Sequence, residues 1–240
     1  MYDDTRLKEG LTSLSIPFDD EKISKLHRYY ELMVSKNQVM NLTAITDYEE
    51  VVVKHWLDSL CFVKAYRGEK DARLIDIGTG AGFPGIPIKI FCPELEIVLL
   101  DSLQKRVLFL QDVVSGLGLT AISCIHGRAE ELSRKEEYRE TFDYAVSRAV
   151  ARLASLSELC IPFVRPGGRF LSYKADGADA EISEGRYAVT TLGGRVGEVL
   201  NYDIPTSDLP RKMVVIEKTS QTPPKYPRGG GKPMKAPLLK

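Results

Sequence analysis

The sequence predicts an α/β protein with a mostly parallel, seven-stranded sheet that ends in an antiparallel hairpin and follows an N-terminal helical segment. Short apolar runs alternate with helical stretches, the first run leads into a glycine-rich loop, and no helix is needed between the last two runs. The 240 residues are 43% hydrophobic and 28% charged. This composition and length are typical of one large globular domain, or of one domain with a small appendage.

Residues 1–66 are predicted to form a helical segment that packs on the core. Apolar side chains over residues 23–34 recur at helical spacing. A polar break is expected at residues 35–38. Asp47 is expected to cap the next helix, with Glu50 three residues further on.

Residues 67–218 are predicted to form the sheet and its covering helices. Seven apolar runs predict the strands: 74–77, 97–100, 122–125, 144–146, 170–172, 189–192 continuing beyond Gly193-Gly194, and 213–216. Four stretches between them predict helices: 86–91, 103–116, 129–138 and 153–163. Strands that alternate with helices produce a parallel sheet covered on both faces. A polar stretch over 177–186 separates this unit from the closing hairpin.

Residues 219–240 contain five prolines and three glycines and are predicted to form an extended basic tail, not a packed element. The net charge of zero conceals an uneven distribution, because residues 1–217 carry −6 and residues 218–240 carry +6. An acid-free basic tail indicates contact with a polyanion, and Lys225, Arg228, Lys232 and Lys235 are its candidate contacts. The alternative is a solvated terminus that keeps the protein soluble.

The strongest local signal is the loop that follows the first predicted strand. Gly80-x-Gly82-x-x-Gly85 matches the dinucleotide-binding fingerprint. Asp101 lies 21 residues after Gly80, at the end of the second strand, where an acid accepts hydrogen bonds from ribose hydroxyls. This pattern is shared by more than one class of adenosine-containing cofactor.

Three features favour an adenosyl amino acid over a dinucleotide. Asp76 would repel a pyrophosphate but could pair with a cationic amino group. Pro84 and Pro87 remove N–H donors that a pyrophosphate would use at the start of the helix. A tight turn at residues 165–170 precedes the fifth strand. These features resemble the Rossmann-like, class I S-adenosylmethionine (SAM)-dependent methyltransferases.

The motifs along the chain make the resemblance more specific. In order, they are Asn41-Leu42-Thr43-Ala44-Ile45, His55-x-x-Asp58-Ser59-Leu60, Gly78-x-Gly80-x-Gly82-Phe83-Pro84-Gly85, Asp101-Ser102-x-x-Lys105-Arg106, Arg128-Ala129-Glu130-Glu131, Ser147-Arg148-Ala149-Val150-Ala151, and Tyr226-Pro227-Arg228 with Gly231, Pro233 and Lys235. The set resembles the RsmG (GidB) family, bacterial methyltransferases of a guanine N7 in 16S ribosomal RNA, over nearly the whole chain.

The resemblance implies SAM contacts at five positions: Gly78, Phe83, Ala129, Glu130 and Arg148. Gly80, Gly82 and Asp76 of the loop, and Asp101 as the ribose acid, complete the expected cofactor site. The resemblance also places Asn41 and His55 on the RNA side, and it allows the tail to pack back on the fold as an alternative or addition to RNA contact. Simpler structural roles are alternatives: a core side chain for Phe83, a helix cap for Glu130, a turn residue for Asn41 and a hydrogen-bonded link for His55.

Guanine N7 carries an available lone pair, so its methylation needs no general base, and the catalytic residues are left unassigned. Arg148 is a candidate for orienting the base. No metal is expected. Two other functions are weighed: a NAD-dependent oxidoreductase, for which no Tyr-x-x-x-Lys pair follows the loop, and a non-catalytic RNA-binding protein on a methyltransferase fold.

The expected partner is 16S ribosomal RNA or the small ribosomal subunit. No apolar run reaches the ~18–20 residues of a membrane span, and the N-terminus does not resemble a signal peptide. We therefore expect a cytoplasmic protein without a membrane partner, and take a monomer as its state.

Overall fold

The fold is built on one seven-stranded sheet with strand order β3-β2-β1-β4-β5-β7-β6, as a computed structural model of the chain shows. The structure describes residues 2–148 and 151–240, so Ala149 and Val150 of the Ser147–Ala151 motif lie outside it. The strands are β1 (Arg73–Ile77), β2 (Glu96–Asp101), β3 (Ile122–His126), β4 (Phe142–Arg148), β5 (Val164–Ala175), β6 (Gly194–Asp203) and β7 (Pro210–Lys218).

Strand pairing confirms the predicted parallel sheet and its closing hairpin. β1 pairs in parallel with both β2 and β4, and β3 and β5 extend the parallel part on either side. β7 is antiparallel to both β5 and β6. The chain reverses its direction of travel across the sheet between β1 and β4. In open α/β sheets, ligands bind at such a switch point, beyond the carboxyl ends of the strands.

Helices cover both faces of the sheet. The α-helices are α1 (Thr5–Ser13), α2 (Asp20–Met40), α3 (Tyr48–Val51), α4 (Asp58–Leu60), α5 (Gly85–Phe91), α6 (Gln104–Gly116), α7 (Ala129–Leu132), α8 (Leu153–Cys160), α9 (Asp179–Thr191) and α10 (Lys232–Lys235). A π-helical stretch, Val52–Leu57, joins α3 to α4. The side chain of Asp47 accepts a hydrogen bond from the Glu50 N–H and caps α3, as predicted.

Alternate residues of each central strand enter two separate apolar clusters. Leu74 and Leu99 pack with the N-terminal segment, α5 and α6, whereas Ile75 and Leu100 pack with α8 and α9. This two-sided burial explains why the central parallel strands are mostly apolar on both faces. Among residues 2–148 and 151–240, none of the helices combines the length and the apolar character that a bilayer crossing requires.

The prediction for residues 177–192 was wrong. These residues contain α9, and the sixth strand begins only at Gly194. Ile182, Gly185 and Val189 are buried at helical spacing, but the polar residues between them conceal the period. The β-branched residues Val189, Thr190 and Thr191 at the end of α9 have the composition of a strand, which explains the wrong prediction.

Two helix boundaries also differ from the prediction. The polar break expected at residues 35–38 lies inside α2, which continues to Met40 because its polar side chains lie on the exposed side. The helix expected over 129–138 ends at Leu132 and is followed by turns.

The C-terminal tail packs on the fold, which corrects the expectation of an unpacked loop. Tyr226 is buried. The guanidinium of Arg139 donates to the carbonyl of Tyr226 over 3.0 Å and to that of Thr222 over 2.8 Å. Arg134 donates to the carbonyl of Lys225 over 3.2 Å. Arginines of the connection between α7 and β4 therefore satisfy carbonyl groups of the tail, which needs no sheet or long helix to stay in place.

Candidate functional site

The glycine loop between β1 and α5 is tied to the neighbouring strand by backbone hydrogen bonds. The N–H of Gly78 donates to the carbonyl of Leu100 over 2.9 Å. The N–H of Gly80 donates to Asp101 Oδ2 over 3.0 Å. Gly78, Gly80 and Gly82 all have positive φ, so the loop takes a path that other residues rarely adopt.

Asp76 lies beneath this loop and is fully buried. Its Oδ2 accepts hydrogen bonds from Thr79 Oγ1 at 2.6 Å and from the N–H of Gly85 at 2.8 Å. Burial raises the pKa of Asp76 to about 7, although these hydrogen bonds oppose the shift. Asp76 thus supports the loop from below through Oδ2, whereas its buried Oδ1 has no hydrogen-bond partner among the described residues. Contact of Asp76 with a ligand amino group stays a prediction. The bond of Asp76 to Gly85 also occupies a helix N–H that a pyrophosphate would need.

A cavity of about 330 Å³ opens where β1, β2 and β3 end. We call it the strand-end cavity. It is lined by Ile77, Gly78, Leu100, Asp101, Ser102, Gly127, Arg128, Ala129, Glu130, Leu159, Gly231, Pro233, Met234 and Lys235. The fold therefore brings together four of the residues predicted for the cofactor site: Gly78, Asp101, Ala129 and Glu130. Gly80 adjoins them through its bond to Asp101, whereas Gly82 lies against Tyr29 and Ile86.

Two carboxylates give the strand-end cavity its chemistry. Asp101 is 3% exposed, and its Oδ1 accepts a hydrogen bond from the N–H of Leu103 at 2.9 Å. Glu130 is 5% exposed, and Arg128 is its ionic partner at 3.8 Å. The N-cap of α7 is Arg128, whose side chain makes no capping hydrogen bond, and the SAM contact of Glu130 stays a prediction.

This set of groups fits SAM better than a dinucleotide. Carboxylates accept hydrogen bonds from hydroxyl groups and attract a sulfonium or ammonium cation, but they repel phosphate. The small side chain of Ala129 leaves room beside them for a flat base. The residues present therefore fit an adenosyl amino acid.

Arg148 and Phe83 lie outside the strand-end cavity, in a second group that we call the Arg148 cluster (His55, Asp58, Phe83 and Arg148). Arg148 Nη1 donates to Asp58 Oδ2 over 2.7 Å and to the carbonyl of Lys54 over 2.7 Å. Its guanidinium carbon lies 5.3 Å from the ring centre of Phe83. The cluster fastens the end of β4 to the N-terminal helical segment.

His55 is a neutral member of this cluster. Its ring stacks on Phe83 with centroids 4.3 Å apart, and Arg148 Nη2 lies 3.1 Å from its Nδ1. Nδ1 also lies 3.2 Å from the carbonyl oxygen of Lys54, and Nε2 lies 2.9 Å from Thr43 Oγ1. Burial, and secondly the charge of Arg148, lower the pKa of His55 to about 3. These contacts make His55 a hydrogen-bonded link between the N-terminal helical segment and β4. The ring of Phe83 is buried. Contact of Phe83 with SAM and of His55 with RNA stay predictions.

The residues predicted to contact RNA are dispersed. Asn41 is exposed and ends α2 with a left-handed backbone, as a turn residue does. Lys225, Lys232 and Lys235 are exposed on the tail. Arg228 instead pairs with Glu158, and its Nη2 lies 2.7 Å from Glu158 Oε2.

Several residues that line the strand-end cavity are not among the predicted cofactor-site residues. Gly127 and Arg128 directly precede the predicted Ala129-Glu130 pair, so proximity along the chain could have indicated them. Pro233 and Met234 lie about a hundred residues away in sequence from that pair. No local pattern signals their position, since it depends on how the tail docks.

Comparison with known proteins agrees with this geometry. The sequence model of the GidB family, rRNA small subunit methyltransferase G, matches residues 22–208. A protein of Lachnoclostridium phytofermentans named ribosomal RNA small subunit methyltransferase G is 48% identical, and the match covers 100% of this chain and 99% of the relative. A protein of the same name from Alkaliphilus metalliredigens is 47% identical, with 97% of each chain covered.

Solved structures support the fold. A mutant of MtNAS in complex with S-adenosylmethionine has a TM-score of 0.54 at 16% identity, with 90% of this chain and 89% of that chain covered. A predicted O-methyltransferase from Agrobacterium tumefaciens has a TM-score of 0.53 at 17% identity, with 69% and 80% covered. Since the family model spans more than half of the chain and the full-length relatives share nearly half of its residues, the chain belongs to the GidB family of rRNA small subunit methyltransferases.

Proposed function

We propose that this protein transfers the methyl group of SAM to N7 of one guanine in 16S ribosomal RNA. The observation that carries the proposal is the convergence of Gly78, Asp101 and Glu130 on one cavity at the switch point of a methyltransferase fold. Family membership supplies the substrate class, because the relatives are named for the RNA of the small ribosomal subunit.

The strand-end cavity is proposed to hold the cofactor. Asp101 would accept hydrogen bonds from the ribose hydroxyls. Its Oδ1 accepts one hydrogen bond from the protein, from the N–H of Leu103, and retains a lone pair. Ala129 and Glu130 border the base. When bound, the cofactor supplies a methyl group activated by its sulfonium charge, and the protein supplies binding and orientation.

The proposed reaction needs no general base from the protein. Guanine N7 attacks with its own lone pair, so no side chain has to remove a proton. The protein holds N7 in line with the methyl group, and proximity of this kind contributes up to about 7–11 kcal/mol. We assign Arg148 a positioning role, because its guanidinium is bonded to Asp58 and the carbonyl of Lys54 and lies over Phe83.

Exposed lysines of the tail are the proposed RNA contacts. Lys225, Lys232 and Lys235 are exposed, and each can neutralise a phosphate and release a counterion. Arg228 is withdrawn from this set because Glu158 occupies its guanidinium. We propose that the partner is the small ribosomal subunit or its RNA, and that the enzyme acts in the cytoplasm as a monomer.

A labelling experiment tests the proposal. Small ribosomal subunits from a strain that lacks this enzyme are incubated with the protein and SAM carrying a tritiated methyl group. We expect label in 16S ribosomal RNA, recovered as 7-methylguanosine at one position. Label in protein, or at another atom of the RNA, would remove the N7 assignment, and no transfer would favour a non-catalytic RNA-binding protein. Hydride transfer from a nicotinamide cofactor in a parallel assay would favour the oxidoreductase.

A further inference from the structure

The tail forms part of the wall of the strand-end cavity. Gly231, Pro233, Met234 and Lys235 line it together with Asp101 and Glu130. We call residues 231–235 the C-terminal wall. The sequence indicated separate tasks for the acidic body and the basic tail, but the structure places both at one cavity.

The C-terminal wall is held by a clasp between Arg228 and Glu158. Glu158 lies on α8 and is fully buried. Its Oε1 accepts from the Arg228 backbone N–H at 2.7 Å and from Nε at 2.9 Å, and its Oε2 accepts from Nη2 at 2.7 Å. A buried carboxylate without a partner is costly, so docking of the tail stabilises the fold by supplying the partner of Glu158.

Both partners of this ion pair are connected to the wall of the strand-end cavity. Arg228 Nη2 also donates to the carbonyl of Ala236 over 2.8 Å, so one guanidinium spans the turn that carries the C-terminal wall. Leu159, the neighbour of Glu158 on α8, lines the cavity. Pro233 is buried between these contacts, whereas Met234 is 50% exposed.

We propose that the C-terminal wall is a cofactor-binding element and that tail docking and SAM binding stabilise each other. The proposal rests on the assignment of SAM to the strand-end cavity. Met234 is the contact residue, since its unbranched thioether adapts to a flat base and packs well against aromatic rings. If bound SAM stabilises the docked tail, linkage requires the docked tail to raise SAM affinity by the same factor.

This coupling has a consequence for RNA. Lys232 and Lys235 are exposed on the same short helix whose Met234 faces the cavity. Cofactor binding would therefore hold two proposed phosphate contacts in place before RNA arrives. Ordering them in advance lowers the entropic cost of the second binding step.

Calorimetric titration of SAM, without RNA, tests the contact. Met234→Ala should raise the SAM Kd by about fivefold, the loss expected for part of one apolar side chain. The matched control is Leu239→Ala, which truncates a similarly exposed apolar residue of the tail that lines a different groove. Its Kd should change by less than about twofold. Because both side chains are half exposed, neither variant should alter folding.

Limited trypsin digestion of the full chain tests the coupling. SAM should slow cleavage after Arg228 and after Lys235, but not after Arg67, which lies in an exposed loop before β1. Unchanged cleavage rates together with an unchanged Kd for Met234→Ala would overturn the proposal.

A cavity-blocking variant separates this inference from the proposed function. Gly127 lines the strand-end cavity, and the nearest atom to an added Cβ is 3.9 Å away, so Gly127→Phe fills the cavity without a clash at Cβ. If only Gly127→Phe loses SAM binding, the cofactor site is right and the role of the C-terminal wall is wrong. If Gly127→Phe binds SAM like the wild type, the cofactor assignment itself fails.

Discussion

The carboxylate of Asp58 and the guanidinium of Arg148 lie 2.7 Å apart, although 90 residues separate them in sequence. Both side chains are nearly buried, at 5% and 13% exposure. Asp58 belongs to the N-terminal helical segment, and Arg148 ends β4. The pair therefore couples the helical segment to the edge of the sheet where the parallel strands end.

Removing one partner of the Asp58–Arg148 pair should lower the free energy of unfolding much more than replacing both partners by apolar residues. Arg148→Met leaves Asp58 buried beside one distant arginine, Arg211 at 3.7 Å, and should lower the free energy of unfolding by about 3–5 kcal/mol. The double variant with Asp58→Leu should recover most of that loss. Urea denaturation of both variants measures the effect. Losses that simply add would mean that the two side chains are not coupled.

Stability should fall in acid through His55. Its pKa in the folded protein, about 3, is below its ordinary value of 6.5, so the unfolded chain binds the proton more tightly between these values. The stabilising contribution is complete above pH 6.5 and is lost as the pH falls toward 3. At pH 5 the predicted loss is about 2 kcal/mol.

The comparison with His55→Gln isolates this effect from other titrating groups. Between pH 7.5 and pH 5, the free energy of unfolding of the wild type should fall by about 2 kcal/mol more than that of the variant. Equal changes in the two proteins would show that His55 accepts a proton in the folded state.

Two glycines of the loop should respond differently to alanine. A Cβ on Gly85 would lie 2.3 Å from Leu99 Cδ2 and 2.9 Å from Asp76 Oδ2, so Gly85→Ala must displace the core beneath the loop. A Cβ on Gly80 would meet open space and cost only the strain of its positive φ, about 1 kcal/mol. Thermal unfolding should therefore show a loss of several kcal/mol for the first variant, in the range of overpacked cores. The reverse order would contradict the assigned loop geometry.

RNA binding should depend on salt through the tail lysines. Replacing Lys225, Lys232 and Lys235 by glutamine should reduce the slope of log K against log salt by about 2–3, at roughly 0.7–0.9 for each phosphate contact. Arg195→Gln, an exposed cation on the hairpin that pairs with Glu217, serves as the control and should leave the slope unchanged. Filter binding to 16S ribosomal RNA over a salt series measures both. An unchanged slope in the triple variant would assign the tail to packing alone.

Much of the sheet could be predicted because its signals are local. Each parallel strand contains a short, mostly apolar run, and the loop after β1 carries its own glycines. Four residues predicted for the cofactor site lie together because the carboxyl ends of adjacent parallel strands meet at one edge. Asp101 was indicated by the loop pattern, and Gly78, Ala129 and Glu130 by the family resemblance. Helix α9 was not predicted, because polar residues stand between its buried positions and its last turn contains β-branched residues.

The C-terminal wall could not be predicted, because its position rests on a contact between distant residues. Nothing near Arg228 in sequence indicates that its partner is Glu158, which is 70 residues earlier. Asp76 illustrates the same limit on a smaller scale. Its position before the loop indicated a ligand contact, and only the three-dimensional path of the loop shows that its partners are Thr79 and Gly85.

The strand-end cavity is the proposed SAM site, and calorimetric titration of SAM into Gly127→Phe tests this assignment most directly. Thr120→Phe is the matched control. It adds the same ring at an exposed position two residues before β3 begins, at the end of the strand away from the cavity. We expect Gly127→Phe to abolish detectable SAM binding while it unfolds at the wild-type temperature, and Thr120→Phe to bind normally. Wild-type SAM affinity in a folded Gly127→Phe protein would contradict the account.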